Sequence, residues 1–255
     1  MRLSHLTNFN KFKMIRNQSN KVFLELLINS GVCFFSKNQP NNFYIHKTNE
    51  ILSKESTNDM NLKDIQTISE LEKFIKKSDK CLLKNTAKKT VIADGNPKAK
   101  LMIIGEAPGR EEDEQGKPFV GQAGQLLNKM LAAINLKRDN VYITNVIPWR
   151  PPNNRTPTSE EILQCLPYLQ KHIEIIKPNF LLLLGATAAK AILSTTLSIS
   201  KLRNKWHIYN SFNLSIKIKT LVSYHPAFLL RSPASKKEAW KDLQFLQKDM
   251  NNDTK

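Results

Sequence analysis

The chain has 255 residues, of which 40% are hydrophobic, enough for the core of one α/β domain and an appended segment but too few for two full domains. Its 39 Lys and Arg against 22 Asp and Glu give a net charge of +17, which favours a polyanionic partner such as nucleic acid, although a membrane surface or a general Lys-rich bias also fits. Three widely spaced cysteines argue against a disulfide scaffold, and neither a secretory signal nor an apolar run of roughly 18 residues is found, so we expect a cytoplasmic protein with no membrane partner.

The first part of the chain differs in composition from the rest. Residues 1–65 are rich in Asn, Ser and Lys, and their short apolar runs at 22–28 and 32–35 show no sustained period. We therefore predict a poorly ordered or partly helical extension over residues 1–65, a folded domain over 66–250 and a tail at 251–255.

From residue 66 onward, hydrophobic periodicity predicts alternating helices and strands. Apolar residues at helical spacing predict helices near 68–75, 123–134, 159–176, 186–193 and 236–246, and continuous apolar runs predict strands at 101–104, 141–147, 180–184 and 217–224. A turn at 94–97 precedes the first strand, and a capping box at Thr158 and Glu161 opens the long helix. This order predicts an α/β fold, a three-layer α/β/α sandwich with a central four-stranded, mainly parallel sheet.

Ligands of such sheets bind beyond the carboxyl ends of the strands, where four loops of this chain converge. The loops are 105–121, 145–155, 185–187 and 225–233. Phe119, between glycines, can present a face to a base or can plug the core under its loop. Asn145 has the donor and acceptor needed to bind the Watson–Crick edge of a pyrimidine, or it simply forms a turn.

The loops at 145–155 and 225–233 combine prolines with basic or apolar side chains. Arg150 and Arg155 suit phosphates, and Trp149, just before Arg150, can stack on a base or pack in the core. His225 is a catalytic or a structural histidine, and the apolar residues 228–230 that follow it lie between prolines, where they can wedge into a base stack.

Five motifs in order carry a family resemblance. GEAPGREED, GKPFVGQAGQLL, TNV, RPPNNRTPT and HPAFLLRSP resemble motifs of the uracil-DNA glycosylase superfamily and are most similar to family 4, and the match runs from about residue 78 to 245. The resemblance implies a four-stranded parallel sheet between helices, which agrees with the strand count above. It also implies hydrolysis of the N-glycosidic bond of uracil in DNA to leave an abasic site, the first step of base-excision repair.

The resemblance assigns substrate and catalytic roles to individual residues. Glu106, Ala107 and Pro108 would frame the uracil with main-chain groups, Glu112 would exclude the methyl group of thymine, and Phe119 would stack on the flipped base. Asn145 would bind its N3 and O4 edge, and His225 would hydrogen-bond O2 as negative charge develops on the leaving base. Glu106 or Asn154 would handle the attacking water, and these two remain unranked.

The resemblance also assigns residues to DNA. Phe228, Leu229 and Leu230 would fill the gap that the extruded base leaves in the duplex. Arg150, Arg155 and Arg231 would contact its backbone. Basic residues after Thr196 would add binding that is independent of sequence and sensitive to salt. We expect the protein to act as a monomer on uracil-containing DNA.

One departure from the family concerns its cofactor. Family 4 enzymes hold an iron–sulfur cluster on four cysteines, and the corresponding positions here are Ser78, Cys81, Trp149 and Cys165. Two thiolates are poor ligation for a cluster that normally uses four. We predict that no cluster is bound, that Cys81 and Cys165 are vestigial metal positions, and that Trp149 packs in the vacated space.

Two other classes of function remain open. A non-catalytic or covalent uracil-DNA binding protein of the same superfamily would keep the pocket without turnover, but the basic, His-containing insertion of the crosslinking relatives is absent from residues 153–158. A nucleotide-binding α/β protein without a DNA role is the third reading, and the lack of a GxxxxGK[ST] loop argues against its commonest form.

Overall fold

The computed structural model of the chain describes residues 61–211 and 217–252. The apolar runs at 22–28 and 32–35 lie outside these residues. Ile65, at the end of the predicted extension, is completely buried, and the Lys171 ammonium donates a hydrogen bond to the carbonyl of Lys63. The residues just before position 66 therefore pack against the domain.

Six strands form one sheet in the order β1-β3-β2-β4-β6-β5. They are β1 (Ala93–Gly95), β2 (Leu101–Gly105), β3 (Val141–Asn145), β4 (Phe180–Leu184), β5 (His207–Asn210) and β6 (Lys217–Ser223). The four central strands β3, β2, β4 and β6 run parallel, whereas β1 and β5 pair antiparallel at the two edges. The four central strands are those that the sequence predicts, and the mainly parallel α/β fold is confirmed.

The two edge strands correct the predicted strand number from four to six. Strand β1 has three residues and contains Asp94 and Gly95, which read as a turn in the sequence. Strand β5 has four residues, His-Ile-Tyr-Asn, and Ile208 at its centre is 51% exposed. Neither strand carries a hydrophobic pattern long enough to be recognised, because edge pairing depends on backbone hydrogen bonds more than on burial.

Eight helices lie among the described residues. They are α1 (Ile68–Lys77), α2 (Arg110–Gln115), α3 (Gln122–Ala132), α4 (Ser159–Ile176), α5 (Ala186–Leu193), α6 (Ile199–Leu202), α7 (Pro226–Arg231) and α8 (Lys236–Asn252). The predicted capping box of α4 is present, since the Glu161 amide donates to Thr158 Oγ1 and the Thr158 amide donates to Glu161 Oε2. The acidic stretch 110–115 forms the short helix α2, where the sequence indicates only a loop.

Two hydrophobic clusters, one on each face of the sheet, account for the three layers. In β2, Met102 and Ile104 belong to the cluster built with α1, α4 and α5, whereas Leu101 and Ile103 belong to the cluster built with α3 and α8. This alternation follows from the two-residue period of a strand. All five residues of β2 are buried, so the central strand reads as one apolar run and fixes the position of its carboxyl end at Gly105.

Candidate active site

A cavity of about 460 Å³ opens at the carboxyl ends of β2, β3 and β6. It is lined by Glu106, Ala107, Pro108, Gly109, Glu112, Phe119, Ala123, Asn145, Pro151, Asn154, Arg155, Thr156, His225, Ala227, Phe228 and Arg231. Every residue that the sequence predicts to bind uracil or to catalyse its release is among them. The topology explains this, because the ends of neighbouring parallel strands lie at one edge of the sheet.

Phe119 forms one wall of the cavity. Its ring stacks on the imidazole of His225, with centroids 5.5 Å apart and planes 29° apart, and the residue is 5% exposed. A Cβ on Gly105 would lie 2.5 Å from Phe119 Cζ, so the ring fits only because β2 ends in glycine. Phe119 itself has a φ of 52°, a left-handed conformation that a bulky residue rarely adopts.

Asn145 ends β3 with its side chain buried beside the cavity. Its Oδ1 atom has no hydrogen-bond partner within residues 61–211 and 217–252, and a Cβ on Gly105 would lie 2.4 Å from it. Buried amide oxygens are normally paired, since an unpaired one costs roughly 1–3 kcal/mol. The arrangement therefore offers an acceptor to a ligand.

His225 follows β6 and is the N-cap of α7. The backbone amide of Ala227 donates to Nδ1 over 3.2 Å, so this nitrogen is the acceptor and the ring proton of the neutral imidazole sits on Nε2. Burial lowers the pKa of His225 to about 4, and the charge of Arg231 acts in the same direction. His225 is thus a neutral hydrogen-bond donor at physiological pH.

Glu106 follows β2 directly, and its carboxylate accepts a hydrogen bond from the Thr187 hydroxyl at the start of α5. Thr187 is reached because Gly185 turns the chain with a φ of 93°, and a Cβ there would approach His225 Cβ to 3.1 Å. Only Oε2 of Glu106 is used by this bond. The other carboxylate oxygen is available to a water molecule or a substrate.

Glu112 of α2 has a structural function that the sequence does not indicate. Its Oε1 accepts from the amides of Val120 and Gly121, each over 2.9 Å, and its Oε2 accepts from the amide of Gly109 over 3.1 Å. The carboxylate therefore joins both ends of the glycine-rich loop. It also lines the cavity.

The proline-rich loop brings Asn154 and Arg155 to the cavity lining, and Arg150 reaches it only through Asn154. Arg150 Nε donates to Asn154 Oδ1 over 2.6 Å, and its Nη1 lies 3.9 Å from Asp113. Arg155 pairs with Glu161 through two hydrogen bonds of 2.5 and 2.8 Å. Both predicted water-handling residues line the cavity; Asn154 is exposed with its oxygen engaged by Arg150, whereas Glu106 is half-buried.

Helix α7 separates the three predicted wedge residues. Leu229 is 1% exposed and packs in the core, so the structure contradicts its assignment to the DNA surface. Leu230 is 41% exposed, and Phe228 is partly buried with its ring 5.0 Å from that of Tyr224. The difference follows from helical periodicity, which turns adjacent residues of α7 about 100° apart. Arg231 is exposed and lines the cavity.

The four positions that carry the iron–sulfur ligands in family 4 make other contacts in this chain. Trp149 is 1% exposed, donates from Nε1 to the Thr90 hydroxyl and meets Tyr168 edge to face at 6.3 Å. Ser78 Oγ lies 2.5 Å from the Tyr168 hydroxyl. No group of three or more His, Cys, Asp or Glu suited to a metal is found among the described residues. These residues do not fit a four-cysteine cluster.

Cys81 and Cys165, the two retained thiols, are buried and free. The neighbouring Cys165 thiol lowers the pKa of the Cys81 thiol to about 7, and the interaction with Cys81 together with burial raises the pKa of Cys165. The pair is therefore held together inside the core, beside the aromatic packing of Trp149.

Two residues of the site were missed by sequence reasoning. Thr187 orients Glu106, and its loop was predicted to lie near the site although no role was given to the residue. Arg138 contacts the carbonyls of Pro118 and Phe119 from the segment before β3. A single Arg in a Lys-rich sequence carries no signal of this contact, which depends on the pairing of loops far apart in the chain.

The sequence is similar to proteins of one known family. The sequence model of the family described as the uracil DNA glycosylase superfamily matches residues 92–244, a range that contains all five motifs. The chain is 44% identical over 182 residues to a type-4 uracil-DNA glycosylase of Pyrobaculum aerophilum, covering 71% of this chain and 91% of that protein. It is 41% identical to the type-4 enzyme of Archaeoglobus fulgidus (71% and 92% covered) and 40% identical to that of Thermotoga maritima (62% and 80% covered).

Proposed function

Because the chain belongs to the uracil DNA glycosylase superfamily, as its motifs predict, we propose that it is a DNA glycosylase that hydrolyses the N-glycosidic bond of flipped-out uracil and starts base-excision repair. The observation that carries this proposal is the convergence of Phe119, Asn145, His225 and Glu106 on one cavity. An aromatic face, a buried amide, a neutral donor and a carboxylate are the groups that recognition and release of a pyrimidine require.

Recognition of uracil rests on three walls of the cavity. The base stacks on Phe119, its N3–H donates to the unpaired Oδ1 of Asn145, and the amide nitrogen of Asn145 donates to O4. Main-chain groups of residues 106–108 frame the remaining edge. Glu112 stands where a 5-methyl group would collide with it, which would exclude thymine, while its carboxylate keeps the loop closed.

Catalysis requires stabilisation of the leaving base. As the bond between C1′ and N1 breaks, its electron pair passes to the base, and negative charge develops on O2. The Nε2–H of neutral His225 donates to this oxygen, and such a preorganised donor contributes on the order of 3 kcal/mol to transition-state stabilisation. The enclosed position of the imidazole makes the interaction stronger than it would be in water.

Water attack on the sugar is assigned to Glu106. One oxygen of its carboxylate is fixed by Thr187, and the other can accept a proton from the water that adds to C1′. Asn154, whose oxygen is engaged by Arg150, is the second candidate, with only its amide nitrogen available to position the water.

DNA contact is assigned to the cavity rim. Leu230 is the exposed apolar residue of α7 and fills the space left by the extruded base, with Phe228 beside it. We assign Arg231, Arg150 and Arg155 to phosphates, and Arg155 must first leave Glu161 or bind as part of that pair. Binding to the backbone by these arginines falls with salt.

We propose further that the enzyme works without an iron–sulfur cluster, because Trp149 and Ser78 replace two of the four ligands and the tryptophan fills the position by apolar packing. No helix in the described part of the chain is long and apolar enough to cross a bilayer. A cytoplasmic location and a monomeric state remain predictions of the sequence.

Cleavage of uracil-containing oligonucleotides tests the proposal. Single- and double-stranded substrates are incubated with the protein and then treated with alkali, which breaks the strand at abasic sites. We expect strand breaks only at uracil, and a double variant, His225→Ala with Asn145→Ala, serves as the inactive control. A product yield no higher than that control would exclude turnover.

A uracil-DNA binding protein without turnover is the second candidate function. Such a protein would still slow the migration of uracil-containing DNA in a gel but would give no alkali-sensitive product. If the binding were covalent, the protein–DNA complex would also survive denaturation. The engaged carboxylate and the neutral histidine in the cavity favour turnover over either form.

A further inference from the structure

The turn that carries Phe119 is held by a cation on one side and an anion on the other. Glu112 accepts from the amides of Val120 and Gly121. Arg138 Nη1 donates to the Phe119 carbonyl over 3.0 Å, and its Nη2 donates to the Pro118 carbonyl. One guanidinium therefore holds two consecutive carbonyls, and one carboxylate holds the two amides that follow.

This clamp acts on a strained stretch of backbone. Phe119 has a φ of 52°, and such left-handed geometry costs a bulky residue about 1 kcal/mol or more. Its carbonyl lies so close to α3 that a Cβ on Gly124 would stand 1.8 Å away. Two constraints meet at the same carbonyl oxygen: Arg138 holds it by a hydrogen bond, and Gly124 leaves room for it.

Arg138 is itself fixed by further partners. Its Nε donates to the carboxylate of Asp94 on the edge strand β1, and its Nη1 also lies 3.3 Å from Asn128 Oδ1 of α3. The side chains of Arg138 and Asp94 are each 22% exposed, so the pair is largely shielded from solvent. Strand β1, helix α3 and the Phe119 turn thus share one guanidinium.

We propose that Arg138, oriented by Asp94, is a positioning residue that sets the Phe119 ring at the angle required for stacking on the flipped uracil. This inference rests on the proposed function of the cavity. Arg138 does not line the cavity, so it acts through the backbone of residues 118 and 119 and not by touching the base. The planar fork of Arg reaches both carbonyls at once, which the single ammonium of Lys cannot do with the same geometry.

A double-mutant cycle on single-turnover cleavage of a uracil-containing oligonucleotide tests this role. We expect Arg138→Met to lower the rate roughly tenfold to a hundredfold, the loss typical of a misplaced binding group. Arg138→Lys should recover part of the rate. In a Phe119→Ala background, which has no ring to position, Arg138→Met should cause no further loss. Equal losses in both backgrounds, or no loss in the wild-type background, would overturn the proposal.

A matched control separates positioning from loss of an ion pair. Lys84 pairs with Asp79 over 2.7 Å, its side chain is 26% exposed, and it lies outside the cavity lining, so Lys84→Met should leave the cleavage rate unchanged. All rates are measured well below the midpoint of thermal unfolding of each variant, so that a stability loss alone does not change them.

Hydrogen exchange supplies a readout that does not need activity. Arg138→Met should accelerate exchange of the Val120 and Gly121 amides, while amides of α4 stay protected as in the wild type. If the wild-type protein failed to cleave uracil, the proposed function would fall while accelerated exchange still supported the clamp. If these amides exchanged at the wild-type rate in the variant, Arg138 would not hold the turn and the proposal would fall.

Discussion

The ring of Phe119 stacks on the imidazole of His225, with their centroids 5.5 Å apart. The contact joins the two sides of the cavity: Phe119 comes from the loop after β2, and His225 from the loop after β6. It helps to enclose the imidazole, and enclosure keeps that ring neutral. The two rings that we propose to stack on the base and to stabilise its negative charge are therefore packed against each other.

Replacement of Phe119 by leucine should keep most of the apolar volume but remove the stacking face. Base stacking contributes about 1–3 kcal/mol per base, so we expect the single-turnover cleavage rate or the affinity for substrate to fall about tenfold or more. Phe74→Leu is the matched control, because Phe74 also contacts an aromatic ring, that of Tyr168, outside the cavity lining. Unchanged cleavage by Phe119→Leu would show that the ring is only a core residue.

The rate of cleavage should not depend on titration of His225 near neutral pH. Burial lowers its pKa to about 4, so the neutral Nε2–H donor is present throughout the range from about pH 5 to 8. The rate attributable to this group should fall only as the pH approaches 4 and the imidazole gains a charge. A pH profile of single-turnover rates checks this, and a transition near pH 6.5 that vanished in His225→Gln would contradict it.

Two histidines with lowered pKa values, His225 and His172, should make the fold sensitive to acid. Burial also lowers the pKa of His172 to about 4, and both imidazoles recover an ordinary pKa of about 6.5 on unfolding. Between these values the unfolded state binds more protons, so the free energy of unfolding should fall as pH drops from about 6.5 toward 4, by up to about 1.4 kcal/mol per pH unit for each histidine. Denaturant unfolding at several pH values measures the slope, and His172→Met should reduce it. An unchanged slope in that variant would refute the assignment.

Gly124→Ala should damage the site although alanine favours a helix over glycine by about 1 kcal/mol. The new Cβ would stand 1.8 Å from the Phe119 carbonyl oxygen, so the turn must move and the cleavage rate must drop. Gly121→Ala is the matched control, since its Cβ would meet only the flexible side chain of the exposed Glu111 at 3.1 Å. Thermal unfolding and cleavage are measured for both variants. Equal behaviour of the two would show that the carbonyl contact does not constrain the helix.

Iron analysis should find no stoichiometric metal in protein purified with or without air. Trp149 and Ser78 supply no thiolate, and a cluster on Cys81 and Cys165 alone would lack half of its ligands. Cleavage should also be unaffected by a strong iron chelator. Visible absorbance and metal quantification of the anaerobically purified protein provide the measurement, and a bound cluster there would refute the prediction.

Much of the fold and of the cavity followed from the sequence because the signals were local. The apolar run of β4 and the periodicity of α3 predicted the central layers, and the order of the strands then placed Phe119, Asn145 and His225 at one edge. What could not be predicted depends on contacts between distant segments. The pairing of Asp94 with Arg138 and of Glu106 with Thr187 joins residues 44 and 81 positions apart, and no residue pattern marks either pair.

The burial of Leu229 shows the same limit at a single residue. The apolar run 228–230 predicted a wedge as a unit, but α7 turns Leu229 into the core and leaves Leu230 outside. The sequence shows that three apolar residues are adjacent, but not which of them face solvent. That depends on the orientation of α7, which its packing against α3 fixes.

Substitution of Asp242 should destabilise the element that delivers His225. Asp242 is completely buried in α8, where Oδ2 accepts from Arg203 Nε over 2.8 Å and from the hydroxyl of Ser223, the last residue of β6, over 2.7 Å. Asp242→Asn would leave the Arg203 charge buried without its partner, a defect that costs about 3–5 kcal/mol. Denaturant unfolding measures the loss.

Two further variants show whether the buried charge is the cause. In Arg203→Met with Asp242→Leu, no unpaired charge remains, so much of the lost stability should return. Glu238→Gln in the same helix removes an exposed pair with Lys241 and should leave the unfolding curve unchanged, because solvent screens that contact. If the double variant were as unstable as Asp242→Asn, hydrogen bonding to Ser223, and not the uncompensated charge, would hold β6 and the His225 loop to α8.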